Sequence, residues 1–66
     1  MDAATIALIL QYTIKFGIPA GEAVVKLFQT PNPTQADWDR AFAASKKPLY
    51  DADVQPIVNA ATNKTS

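Results

Sequence analysis

Sixty-six residues with six basic and six acidic side chains, 48% hydrophobic, 18% charged and without a single Cys or His, can form one small domain and little more. A domain of this size buries only about 60% of the surface its unfolded chain exposes, and small chains usually add a staple. The missing Cys and His exclude disulfides, the common zinc sites and thiol or imidazole catalysis, so contact with partner proteins is the remaining staple, and the isolated monomer is expected to fold poorly. Zero net charge gives no overall field to draw in nucleic acid or an anionic membrane.

Four helical segments are predicted, with no alternating strand pattern and no internal repeat, so the fold class is all-α: a small bundle of three to four short helices. The domain spans 1–62, and 63–66 form a polar tail. The first helix is predicted over Ala3 to Phe16, with Asp2 as N-cap and Gly17 as the left-handed residue that often ends a helix. Ile6, Ile9, Leu10, Thr13 and Ile14 share its broad apolar face, and Leu8 and Tyr12 carry apolar surface nearly round it. Ile6, Leu10 and Ile14 are assigned to the core. Leu8, Tyr12, Ile9 and Phe16 are assigned to an interface with another chain, where Tyr offers a large apolar area and a polar tip.

A helix apolar on nearly all sides sits in protein or in lipid. The twelve uncharged residues from Ala3 to Ile14 make about 18 Å of helix, short of the roughly 20 residues that cross a bilayer. A helix lying on the membrane wants a basic polar face, which Gln11 and Lys15 do not supply. Asp2 follows Met1 where a signal peptide would be basic, so no secretory signal is read.

The second helix is predicted from about Ala20 to Gln29, after the Ile18-Pro19 restart, with Val24, Leu27 and Phe28 facing the core and a Glu22/Lys26 pair on the polar face. "TPNPT" makes a stiff connector. Thr34 and Asp37 form a capping box for the third helix, which buries Trp38 and Phe42 and ends with Lys46 and Lys47 against its dipole before Pro48. Tyr50 is expected to staple the fourth helix. That helix is expected to be capped by Asp53, so that Pro56 falls in its first turn, and to bury Val54, Ile57 and Val58.

No constellation for catalysis or for a cofactor emerges, and the chain is read as a non-enzyme. Asp37 and Asp39, two apart on a helix, point different ways and serve the helix dipole. Asp51 and Asp53 open like a calcium loop, but Pro56 stands where that loop needs Gly. Gly17 and Gly21 flank "IPA" without the Lys and Ser/Thr of a phosphate loop. Lys46, Lys47 and Arg40 are the only basic cluster, with the aromatics on the other face, so nucleic-acid contact is not expected.

"IKFGIPAGEAV" followed by "PNPTQADWDRAFAASKKPLYD" resembles small helical proteins encoded by tailed bacteriophages and prophages, over roughly Thr5 to Asp51. The resemblance implies a setting, the virion or the host cytoplasm, and no site residue. The expectation is a structural or adaptor subunit that works by burying helix faces in a homo-oligomer or larger assembly. The alternatives are a membrane-associated accessory protein using the first helix, and a small inhibitor of a host protein.

Overall fold

The computed structural model describes residues 2–65, for 64 and 65 the backbone alone. It contains α1 (Ala3–Phe16), α2 (Ile18–Gln29), α3 (Gln35–Ala43) and α4 (Gln55–Thr65), with no strand among the described residues. The all-α class and the number of helices are as the sequence predicts. The radius of gyration, 10.4 Å, is close to the ~11 Å of a compact chain this long.

Asp2 caps α1 as expected, its carboxylate accepting from the Thr5 backbone N–H at 2.8 Å. Only Gly17 separates α1 from α2. Its backbone, at φ 100 and ψ 166, lies outside the expected left-handed helical region and in one open essentially to Gly alone. This one residue turns the chain back on itself, donating to Thr13 O at 2.7 Å and accepting from Gly21 N at 3.2 Å. With Pro19 in its first turn, α2 starts at Ile18 rather than at Ala20.

The two helices then cross closely. A Cβ at Gly21 would stand 3.0 Å from Thr13 Cβ and closer still to Thr13 Oγ1, a space no side chain can share. Thr13 leaves the crossing tidy by turning its hydroxyl to Ile9 O at 2.7 Å.

The remaining helices close the core around this hairpin. α3 packs on α2, and α4 packs on α1 and α2. Ile9, Tyr12, Ala20, Val24, Leu27, Phe28, Ala41, Phe42, Val54, Ile57 and Ala61 are buried together, with Leu8, Phe16, Trp38 and Val58 half-buried against them. Phe16, Tyr12, Phe42 and Trp38 form a run of ring contacts from α1 to α3. Their centroid spacings are 4.9, 6.1 and 5.9 Å, in the range of favourable aromatic pairs. Lys15 bridges to Asp53 at 3.0 Å and fastens the end of α1 to the segment that leads into α4.

The capping box of α3 forms, with Thr34 Oγ1 accepting from Asp37 N and the Asp37 carboxylate accepting from Thr34 N. These bonds, the one from the Thr34 backbone foremost, hold the Asp37 carboxyl below its ordinary value, as the Thr5 backbone does for Asp2.

Four further expectations need correction. α3 ends at Ala43, before Lys46 and Lys47, because Lys46 adopts φ 56 and the Ser45 hydroxyl turns back to Phe42 O at 2.8 Å. α4 starts at Gln55 with Asp53 outside it; the Asp51 carboxylate accepts from Asp53 N in a preceding turn, and Pro56 still falls in the first turn. The segment 63–65, expected as a tail, continues α4. Tyr50 is 80% exposed and staples nothing.

Both glycines are therefore positions that accept no side chain. Gly17→Ala is expected to destabilise the fold by about 1–3 kcal/mol through backbone strain. Gly21→Ala should also destabilise it, by about 1–3 kcal/mol of overpacking, although Ala is intrinsically the better helix former by about 1 kcal/mol. Urea unfolding midpoints of the two variants check both outcomes.

Candidate interaction face

The close crossing at Gly21 fixes the rotation of α1 about its own axis. Ile9 and Tyr12 consequently turn into the core, with Leu8 and Phe16 beside them. This reverses the assignment made from the sequence. Leu8, Tyr12, Ile9 and Phe16 were expected at an interface and form the inner face instead. Ile6, Leu10 and Ile14 were expected in the core and stand 46%, 57% and 83% exposed. The physical reason is that a helix apolar all round carries no amphipathic signal for its own rotation. The determinant is the small residue at position 21, on a different helix.

Elsewhere the expected core residues lie where the spacing put them. Val24, Leu27, Phe28, Phe42, Val54 and Ile57 are buried, and Trp38 and Val58 are half-buried against them.

The outward face of α1 reads Ala3, Ala7, Leu10 and Ile14, flanked by Ala4, Gln11 and Ile6, all exposed. Ile18, 68% exposed, follows just past the turn. Scattered apolar residues are normal on any surface. Here, however, no charge interrupts the helix from Ala3 through Ile14, so its large exposed side chains form an unbroken apolar strip.

Two grooves run beside the helices. One, between α2 and α3, is lined by Glu22, Lys26, Leu27, Asp37, Arg40 and Ala41 among others. Its acids and bases are mixed, and Arg40 is already engaged with Asp37 at 3.4 Å. The other lies where Leu8, Phe28 and Ala60 meet at the start of α1. Among the described residues there is no group of acidic side chains fit to hold a metal ion, and no helix is long and apolar enough to cross a membrane.

One buried polar atom stands apart. Tyr12 Oη makes no hydrogen bond of good geometry inside the core. Burial raises the Tyr12 pKa above its ordinary 10.0, while the Ser45 hydroxyl is near enough to offset part of that rise. No known protein family, curated protein or solved structure matches this chain.

A buried hydroxyl without a good partner can be exchanged for an apolar group of the same shape at little cost. Tyr12→Phe is accordingly expected to leave stability within about 1 kcal/mol of the parent or to raise it. Tyr12 binds its proton more tightly in the folded state, so its contribution is intact below pH 10.0 and is lost as pH rises through the higher folded-state value. Urea unfolding across the alkaline range should show that loss in the parent and a smaller one in Tyr12→Phe.

Proposed function

We propose that the protein is a non-enzymatic structural or adaptor subunit that works by burying the outward face of α1 in a homo-oligomer or larger assembly. The observation that carries this reading is the uncharged strip Ile6, Leu10 and Ile14, which the protein's own fold leaves uncovered. Fully covering a Leu or Ile is worth roughly 1.5–3 kcal/mol. The exposed fractions of these three side chains amount to about two whole ones, or roughly 3–6 kcal/mol gross. Association costs about 4–15 kcal/mol in lost freedom. The strip therefore needs a partner that brings apolar surface of its own, which suits docking among proteins better than contact with a polar ligand.

The setting proposed is a phage particle, with the chain as a minor head, neck or tail component. It rests on the resemblance of the two sequence stretches quoted above. A second reading draws on the same strip: an accessory protein whose α1 lies against a membrane. Its flanks, Ala4 and Gln11 on one side and Thr13 on the other, offer no cation to anionic headgroups, and this favours protein as the partner.

The test is gradient sedimentation of lysates from cells that produce the protein, with the parent compared against a Leu10→Glu/Ile14→Glu variant. The parent should travel as a complex heavier than the 7.1 kDa chain, and the variant should remain at the position of the free chain. Parent and variant both at the position of the free chain would end the assembly reading. Flotation of the parent with lipid would replace it with the membrane reading.

A further inference from the structure

We propose that the partner covering α1 is a second copy of this chain, packed against the first as an antiparallel helix pair about a two-fold axis between Ala7 and Leu10. This deepens the assembly reading and rests on it. The outward positions Ala3, Ala7, Leu10 and Ile14 are spaced four, three and four apart, the d-a-d-a rhythm of a coiled-coil seam. Tyr12, in the opposite position of that heptad, is in the protein's own core. The seam is therefore free to meet another helix without disturbing the fold.

The order of sizes along the seam selects both the partner and its direction. The two small residues, Ala3 and Ala7, occupy the first half, and the two large exposed ones, Leu10 and Ile14, occupy the second. In an antiparallel pair Ile14 meets the other copy's Ala3, and Leu10 meets its Ala7, so every layer sets one large side chain against one small. Such alternation fills the space between facing helices evenly. A parallel pair would crowd Ile14 on Ile14 and leave a gap between the alanines.

Self-pairing also brings identical surfaces together, so any charge near the axis would meet its own sign. The seam and its flanks, Ala4, Gln11, Ile6 and Thr13, carry none. Lys15, the nearest cation in the helix, is held by Asp53 at 3.0 Å. Antiparallel packing further sets each helix dipole against its opposite. A seam this short falls in the class of small, weak interfaces, so the pair should form in a concentration-dependent way.

The experiment uses the purified full chain, which has no native Cys. Ala3→Cys and Ile14→Cys variants are mixed, oxidised and weighed intact by mass spectrometry. The two positions lie about 16 Å apart along one helix, beyond the reach of a disulfide between like positions in an antiparallel pair. The expected product is the mixed Ala3→Cys/Ile14→Cys dimer, well above the roughly twofold excess of random pairing over either like dimer. Sedimentation equilibrium of the parent should show the mass rising from 7.1 kDa toward twice that value, and Leu10→Glu should abolish the rise.

Like-with-like disulfides would overturn the antiparallel arrangement. A parent that stays monomeric at every concentration, or a Leu10→Glu variant that still pairs, would overturn the second copy as occupant. Binding of a hydrophobic dye separates that failure from the failure of the assembly reading. A monomeric parent that binds dye, with binding lost in Leu10→Glu, keeps an adhesive face for a different protein. A monomeric parent that binds none loses both. Should Leu10→Glu fail to fold by circular dichroism, the disulfide pattern alone decides.

Discussion

The contact between Gly21 and Thr13 is the constraint on which the rest of the molecule depends. It lets two helix backbones approach until no Cβ fits between them, and that approach is possible only because Gly17 reverses the chain in a single residue. Once α1 and α2 are locked at that crossing, the rotation of α1 follows. Tyr12 must point inward, where it meets Phe16 and Phe42, and Leu10 and Ile14 must point away. Both glycines of the chain are thus used in positioning one helix.

The result is a core built unevenly. α2 lies at its centre, touched by each of the other three helices, and its buried side chains are those its spacing predicts. α1 contributes aromatic bulk from one side and exposes aliphatic bulk on the other. This explains how 48% hydrophobic content coexists with so small a core. Part of that content serves no internal contact, and its placement on one charge-free helix face is why assembly is the proposed role.

How much of this was legible in the sequence differs by element. The caps were legible, because Asp2 and Thr34 act through bonds to residues three positions away and need no tertiary context. The buried faces of α2, α3 and α4 were legible, because each helix has a polar side that fixes the apolar one. The rotation of α1 was not legible, since the helix lacks a polar side. That inversion misplaced the candidate face by half a turn of helix. A signal was nonetheless present in Gly21, a helix-interior glycine that marks a close approach, and it would have pointed to whichever residue of α1 lay opposite. The early end of α3 was hidden for another reason: Lys46 takes a positive φ that its residue type does not announce.

The Lys15–Asp53 bridge joins residues 38 positions apart, and it has a bearing on the order of events as the chain is made. The α1–α2 hairpin needs only local contacts and can close early, whereas α4 leaves the ribosome after the other three helices. Until it docks, α1 exposes apolar surface on the side α4 will cover as well as along Leu10 and Ile14. For that interval the nascent chain has adhesive surface on both flanks of one helix and almost no charge there to keep copies apart. Translation speed and local crowding then bear on how long that surface stays uncovered.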